Sequence, residues 1–282
     1  MGPRTNPFVP VVVTIDVMAI EGMVVLAYLG LGAVAGVLAG LLGIGGGLVI
    51  VPALFFLFSA LGFSEQIVMH LALGSSLATV VFTALASSYA HHKHGAVLWR
   101  VVAVLAPGIA LGAFGGAALA DRLPTPALRL VFGLFELLVA AQLGFGARAS
   151  PQRGLPRRAG MIGVGTLIGA LSAVLGIGGG TLTVPFLVWC NVRIRVAVAT
   201  SAACGLPIAL AGSLGFITAG WDNPKLPAWA SGYVYWPAVL GIAAASVPCA
   251  PLGARLTHAL PMETLQRLFA ILLAFIGLRM LI

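Results

Sequence analysis

Leu42-Gly43-Ile44-Gly45-Gly46-Gly47 occurs a second time as Leu175-Gly176-Ile177-Gly178-Gly179-Gly180. The copies begin at positions 42 and 175, which are 133 residues apart, and each is followed by a Val-Pro pair, Val51-Pro52 and Val184-Pro185. Glycine costs about 1 kcal/mol per helical position relative to alanine, so each copy predicts a break between two helices. A break repeated at matching points indicates that the chain is an internal duplication.

The composition is that of a membrane protein. Hydrophobic residues make up 60% of the chain and charged residues 8%, with a mean hydropathy of +1.10, whereas a soluble domain carries about 25% charged residues. The net charge of +8 comes from basic residues that lie between apolar segments. We therefore expect a lipid bilayer as the partner of this chain, and no nucleic acid. The three cysteines form no CxxC motif and predict neither a disulfide nor a zinc site.

Ten apolar segments follow one another, five in each half. The repeat extends beyond the glycines, since Gly36 matches Gly169 and Phe132 matches Phe269. We predict an all-α polytopic membrane protein in which a glycine-broken helix pair opens each repeat. The predicted regions are an N-terminal segment 1–21, a first transmembrane repeat 22–146, a basic cytoplasmic linker 147–159 and a second transmembrane repeat 160–282. The predicted segments span residues 22–42, 48–60, 66–90, 96–120, 126–146, 160–175, 181–191, 194–220, 232–256 and 262–281.

The odd number of segments predicts that the two repeats are inverted. The chain leaves each glycine-broken pair on the side where it entered, whether segments 48–60 and 181–191 span fully or re-enter. Three more crossings follow, so the second repeat begins on the opposite face. Placing the Arg148–Arg158 linker in the cytoplasm puts ten basic residues on that side and five on the other. This bias agrees with the positive-inside rule and places both termini outside the cytoplasm.

The glycine turns are the first candidate site. Their backbone N–H groups, and the helix N-termini that begin near Leu48 and Thr181, are suited to bind a small anion. The alternative is close helix crossing, in which glycine lets two backbones touch. The candidate residues of the turns are Gly45, Gly46, Gly47, Gly178, Gly179, Gly180 and Thr181.

Hydroxyl side chains at equivalent points of the two repeats form the second candidate group. They are Ser75, Ser76 and Thr79 in the first repeat and Thr200 and Ser201 in the second. A hydroxyl can donate to a substrate oxygen without burying a charge, although Ser and Thr in apolar helices also bond to their own helix. Two cations, His70 and Arg195, occupy equivalent places about one turn earlier. They are candidates to bind the anion, or loop residues that set topology.

Two further polar features each have a structural interpretation besides a functional one. Glu136 is the only acid near the middle of a clean apolar segment, and it is a candidate proton carrier or a structural hydrogen-bonding group. His91-His92-Lys93-His94 lies at a segment end without a neighbouring carboxylate or cysteine, so we interpret it as an interfacial polar cap rather than a metal site. No cofactor is expected.

These residues resemble the TauE/SafE family of membrane transporters. The resemblance is carried by the doubled G-x-G-G-G turn with its Val-Pro pair, by the Gly74-Ser75-Ser76 and Ala199-Thr200-Ser201 stretches, and by Asp121-Arg122-Leu123-Pro124. It covers about residues 22–281. It implies export of sulfite, sulfoacetate or a related organosulfonate and a location in the inner membrane. Gly74-Ser75-Ser76 departs from the Gly-Thr-Ser usual in the family, which weakens strict symmetry at the site.

The combined hypothesis is a secondary transporter, not an enzyme, whose two glycine turns converge near the bilayer midplane. Alternating access would rock one half against the other. The alternatives are a non-transporting scaffold or assembly protein that uses glycine for packing, and a transporter for another small anion. The substrate, the coupling ion, the direction of net flux and the formation of a homodimer are left open.

Overall fold

The computed structural model describes residues 9–42, 46–145, 154–256 and 262–282. These residues form an all-α fold of ten helices with one short β-hairpin, in agreement with the ten predicted segments. The helices are α1 Val9–Leu42, α2 Gly47–Ala60, α3 Val68–Lys93, α4 Trp99–Asp121, α5 Thr125–Gly144, α6 Arg158–Val174, α7 Gly180–Trp189, α8 Ile194–Ala219, α9 Trp236–Leu256 and α10 Met262–Leu281. The antiparallel hairpin consists of β1 Ala230–Ser231 and β2 Val234–Tyr235.

Two helices begin four or more residues away from the start of the predicted segment. Helix α1 has 34 residues and begins at Val9, not at residue 22, because the apolar run at its start continues the helical pattern. Helix α9 begins at Trp236 rather than at residue 232. The residues before it form the hairpin, whose turn contains Gly232 at a φ of +53°, a backbone conformation that glycine adopts without strain.

The lengths and surfaces of the helices suit a bilayer. Among the described residues, α3, α4, α5 and α8 are long and apolar enough to cross a membrane. Leucines that would be costly in water lie on the outer surface, with Leu111 71% and Leu138 61% exposed, as expected for side chains that face lipid. Helix α7 has 10 residues, so it is about 15 Å long, roughly half of the hydrocarbon thickness.

A row of glycines joins α4 to α6. A Cβ atom added at Gly108, Gly112 or Gly116 would overlap the backbone of α6. The facing residues of α6, in the same order, are Ile162, Thr166 and Ala170. The residue numbers rise together, so the two helices run parallel, and their backbones touch because no side chain separates them.

The first helix of each half packs against the fourth helix of the other half in the same way. The contacts are Gly32 to Ile242 and Gly36 to Ser246 between α1 and α9, and Gly165 to Leu105 and Gly169 to Ile109 between α6 and α4. Gly32 and Gly36 are equivalent to Gly165 and Gly169, at an offset of 133 residues. Leu105 and Ile109 are equivalent to Ile242 and Ser246, at an offset of 137 residues. Equivalent residues therefore make equivalent contacts, and each half contributes a helix to the other.

Equivalent helices of the two halves pack antiparallel. In the α3–α8 pair, Gly212 faces Leu77 and Gly205 faces Ala84, so residue numbers fall on one helix as they rise on the other. The α5–α10 pair behaves identically, since Gly133 faces Gly277 while Gly144 faces Ala270. Two halves related by a two-fold axis perpendicular to the helices would make these contacts, and they support the inverted relationship predicted from the odd segment number.

The bundle therefore has two distinct ends. At one end α3, α5 and α9 begin and α4 and α8 finish, and we call it the cavity end because two cavities open there. At the other end α4, α6 and α8 begin and α3 and α5 finish. We call it the linker end, since it carries the connection between the two halves.

Replacing Gly112 with alanine should lower the unfolding temperature, because the added methyl group must push the α4 and α6 backbones apart. We expect a loss of about 1–3 kcal/mol of stability. Gly115→Ala is the matched control, since nothing lies within 4 Å of its Cβ position, and alanine stabilises a helix by up to about 1 kcal/mol. Thermal unfolding of the two variants in one detergent is the measurement, and equal unfolding temperatures would contradict the backbone contact.

Candidate functional site

The two glycine turns touch each other. A Cβ atom on Gly47 would lie 2.8 Å from the Cα atom of Ile177 and 2.9 Å from the carbonyl oxygen of Gly176. Gly46 packs against Ala35 of α1 and the side chain of Ile50. Residues 43–45, including the predicted site residue Gly45, lie outside the described part of the chain. The described part brings the start of α2 directly onto the second turn.

The second turn lies against the middle of α3 and α8. Gly176 adopts a φ of +63° and faces Leu73, while Gly178 faces Val80. Gly179 would place a Cβ atom 3.0 Å from Cδ1 of Ile208. Because Val80 and Ile208 are both near the midpoints of 26-residue helices, the turn lies deep inside the bundle. Gly180 then begins α7, with Gly179 as its N-cap and Thr181 as its second residue.

Every hydroxyl side chain of the predicted clusters is fully buried and hydrogen-bonded. Thr79 donates to the carbonyl of Ser75 at 2.9 Å and Ser201 donates to the carbonyl of Val198 at 2.9 Å. These two bonds stay within one helix, which is the structural alternative described for them above. Ser76 differs, since its hydroxyl donates to the carbonyl of Gly176 at 2.8 Å and so fastens α3 to the second glycine turn.

The remaining two hydroxyls each accept a bond from the start of a distant helix. The Ser75 hydroxyl oxygen accepts the N–H of Tyr235 at 2.9 Å, and the Thr200 hydroxyl oxygen accepts the N–H of Leu98 at 3.1 Å. The pairs are equivalent, because 75 + 125 = 200 and 98 + 137 = 235. We call them the hydroxyl–amide contacts. The Ser75 contact lies at the cavity end and the Thr200 contact at the linker end.

Leu98 and Tyr235 were not among the predicted site residues. Each directly precedes a tryptophan, Trp99 or Trp236, that begins the fourth helix of its half. These matching Leu-Trp and Tyr-Trp dipeptides are part of the sequence repeat. The repeat does not reveal the hydroxyl that each backbone N–H binds, because that hydroxyl lies on the third helix of the opposite half.

The two predicted cations are far apart. His70 lies at the cavity end and is 4% exposed, and its Nε2–H donates to the carbonyls of Leu123 at 3.1 Å and Ala120 at 3.2 Å. Arg195 is exposed at the start of α8, which is the linker end. The structure does not bring them together, because antiparallel halves place equivalent residues at opposite ends.

Glu136 lies in the interface between α5 and α10 and is completely buried. A Cβ atom on Gly277 would lie 3.1 Å from the Glu136 Cβ atom. Neither carboxyl oxygen has a hydrogen-bond partner within the described residues. An isolated carboxyl at this depth is costly as an anion.

Thr183 was not predicted, yet it belongs to the second glycine turn. It is fully buried, its hydroxyl has no partner in the described part of the chain, and a Cβ atom on Gly179 would lie 3.3 Å from it. The equivalent residue in the first half is Ile50, since 183 − 133 = 50. A search for duplicated polar residues therefore passes over it.

A cavity of about 810 Å³ opens at the cavity end. His70 is the only predicted site residue of the described part that lines it or its neighbour of about 500 Å³. Tyr233 of the hairpin turn donates to Asp121 at 2.9 Å and accepts from Asn223 at 3.1 Å. Burial raises the pKa of the Tyr233 phenol, so it stays a neutral donor. Within the described residues, no group of three or more His, Cys, Asp or Glu side chains is placed to hold a metal ion.

Residues 28–280 of the chain match the family described as Sulfite exporter TauE/SafE. A "Probable membrane transporter protein" of Haemophilus influenzae is 40% identical over 251 residues, which cover 88% of this chain and 95% of that protein. The "Probable membrane transporter protein YunE" of Bacillus subtilis is 28% identical, with 89% and 95% covered. MJ0441 of Methanocaldococcus jannaschii, with the same description, is 26% identical, with 89% and 93% covered. No solved structure matches.

Replacing Ser76 with alanine should destabilise the protein by about 1–3 kcal/mol, because the buried carbonyl of Gly176 loses its partner. Thr79→Val is the matched control, since the lost bond lies within one helix turn and the Ser75 carbonyl keeps the i→i−4 helical bond. Thermal unfolding of both variants tests this. If Thr79→Val is destabilised as much as Ser76→Ala, the hydrogen bond to the glycine turn contributes no more to stability than a hydrogen bond within one helix.

Proposed function

The chain belongs to the TauE/SafE family and is a membrane transporter, and we propose that it exports a small sulfur-containing anion across the cell inner membrane. The substrate class is sulfite, sulfoacetate or a related organosulfonate. The family's description as a sulfite exporter supports this class. The absence of a GxxxxGK[ST] motif in the sequence favours a secondary transporter over an ATP-driven one.

One observation carries the proposal of a central anion site: the two glycine turns meet inside the bundle between antiparallel α3 and α8. Helix α7 begins at this junction with Gly179 as its N-cap, and beside it lies the hydroxyl of Thr183, which has no hydrogen-bond partner among the described residues. Sulfonates stay ionised at physiological pH, so their site must supply positive potential. A helix N-terminus supplies about half a unit charge without burying a cation.

The two hydroxyl–amide contacts support a mechanism of alternating access. Each contact joins the two halves, and the two lie at opposite ends of the bundle. Opening the Ser75 contact would expose the glycine turns from the cavity end, and opening the Thr200 contact would expose them from the linker end. Both contacts are formed in this structure, and we interpret it as a conformation closed on both sides.

The distribution of charge supports a multi-pass chain with the linker end in the cytoplasm. Seven basic side chains of the described part lie at the linker end, namely Lys93, Arg100, Arg157, Arg158, Arg193, Arg195 and Arg267. Four lie at the cavity end, namely Arg122, Arg129, Lys225 and Arg279, together with the acids Glu65, Asp121 and Asp222. Because basic loops stay in the cytoplasm, an exported anion would leave through the cavity end. The inside-negative potential contributes about 2.3 kcal/mol per charge and 100 mV to that movement.

Counterflow into liposomes that contain the purified protein tests the proposed substrate class. Sulfite, sulfoacetate, taurine and thiosulfate are compared as the internal anion, with protein-free liposomes as the control. We expect accelerated exchange with at least sulfite or sulfoacetate. Rates equal to the protein-free control for all four compounds would contradict the proposed class.

Replacing Gly179 with leucine should abolish this flux, because the side chain would fill the junction beside Ile208 and the carbonyl of Ser201. Gly163→Leu is the control for a bulky residue in an open position, since nothing lies within 4 Å of its Cβ. In Gly179→Ala the added Cβ lies 3.0 Å from the flexible end of Ile208 and 3.3 Å from both the Ser201 carbonyl oxygen and the Thr183 hydroxyl, so the variant should fold and show reduced flux. Wild-type flux in both Gly179 variants would remove the turn from the mechanism.

Replacing Glu136 with glutamine tests proton coupling, since an amide cannot carry the proton. If export is coupled to protons through this carboxyl, wild-type flux varies with pH and Glu136→Gln flux does not. Initial rates measured from about pH 5 to pH 8 separate the two. If the wild-type rate does not change with pH, export is not coupled to protons. If Glu136→Gln keeps the pH dependence of the wild type, a group other than Glu136 carries the proton.

A further inference from the structure

The wall of the larger cavity contains an arginine that has no acidic partner among the described residues. Arg129 lines this cavity, and its guanidinium carbon lies 5.0 Å from the centre of the Phe55 ring. The Nε atom is buried and has no hydrogen-bond partner within the described residues. The aromatic contact restricts the guanidinium to one position, which lowers the entropy cost of binding a ligand there. A partly buried, fixed guanidinium with a free donor is a ready anion-binding group.

The acids of the same cavity are placed elsewhere. An Oδ atom of Asp121 accepts the Tyr233 hydroxyl at 2.9 Å, and Glu65 is an exposed residue. No ion pair with Arg129 is formed by either of them in the part of the chain that the structure describes. The charge of Arg129 is therefore not paired with an acid within the described residues.

A second unsatisfied atom belongs to His70. The side chain is 4% exposed and lines the same cavity. Its Nε2 must carry the proton, because both of its partners, Ala120 and Leu123, offer carbonyl oxygens. Nδ1 is then an acceptor, and it is buried without a partner in the described residues. The Tyr233 ring, 5.0 Å from the imidazole centre to centre, helps to fix the orientation of His70.

We propose that this cavity is an outer binding site for the transported anion, distinct from the glycine junction. Arg129 binds the sulfonate group, and Nδ1 of His70 accepts a hydrogen bond from a hydroxyl or ammonium group on the same ligand. The site thus favours sulfonates whose carbon chain carries a hydrogen-bond donor. A volume of about 810 Å³ holds such a ligand with its remaining water. The inference rests on the proposed function for its choice of substrate. It adds a second binding site, through which the anion enters or leaves at the cavity end.

Calorimetric titration of the full chain in detergent tests the site, with 2-hydroxyethanesulfonate and ethanesulfonate as a matched ligand pair. We expect the hydroxylated ligand to bind wild-type protein about tenfold more tightly, because an analogue without the hydroxyl leaves the acceptor unpaired. Arg129→Gln should weaken both ligands by about tenfold or more, and Arg129→Lys by less. Arg122→Gln is the matched control, since Arg122 lines the same cavity but is exposed. It should change either affinity by less than about threefold.

The unfolding temperature without ligand, measured for each variant, shows whether Arg129→Gln is folded; if it is not, Arg129→Lys decides. Unchanged affinity for both ligands in the folded variant overturns the site. Equal wild-type affinities for the two ligands overturn the role of His70.

Sulfonate counterflow, measured in parallel, separates this inference from the proposed function. Wild-type flux with binding that is insensitive to Arg129 removes the outer site alone. If binding depends on Arg129 but no flux is observed, the proposed transport of sulfonates is contradicted and the outer binding site is supported. Absence of both contradicts both.

Discussion

Direct contact between helix backbones is the interaction on which this structure depends. Lipid is as apolar as the helix surfaces, so no hydrophobic force drives helices together inside a bilayer, and close packing must do so. The contacts of α4 with α6 and of α1 with α9 are made through glycines that face backbone atoms. Because each contact joins a helix of one half to a helix of the other, the halves are interlocked rather than simply adjacent.

This interlocking places the glycine turns. A turn within the membrane leaves backbone groups without helical partners, and such groups need partners from the protein. The hydroxyl of Ser76 satisfies the carbonyl of Gly176, and the start of α2 closes over the same turn at Gly47. A structural role and a functional role for the glycines are therefore compatible. The packing that lets the two turns meet is the same packing that brings a helix N-terminus to the middle of the bundle.

Much of this arrangement could be predicted from the duplication. The doubled LGIGGG stretch indicated the duplication, and the ten apolar segments predicted the number of helices. The odd number of segments in each half favoured antiparallel halves, as the contacts of α3 with α8 support. His70 and Arg195, which were predicted only as equivalent candidates to bind the anion, lie at opposite ends of the bundle, because inversion itself sends equivalent residues to opposite ends. Arg129 and Tyr233, which line the cavity, are not duplicated in the sequence, since the equivalent residues of the other half are Gln266 and Ala96. Their roles depend on tertiary contacts with Phe55 and Asp121, which no spacing along the chain reveals.

The central claim is that two interlocked, oppositely oriented halves open at one end while closed at the other. Distances between spin labels on the full chain test it most directly, with one pair at Glu65 and Asp222 for the cavity end and one at Lys93 and Arg193 for the linker end. All four positions are exposed, and the native cysteines, which are all free, are replaced beforehand. The account predicts that adding a transported anion shifts the two distance distributions in opposite directions. Distances at both ends that stay fixed, or that lengthen together, would contradict it.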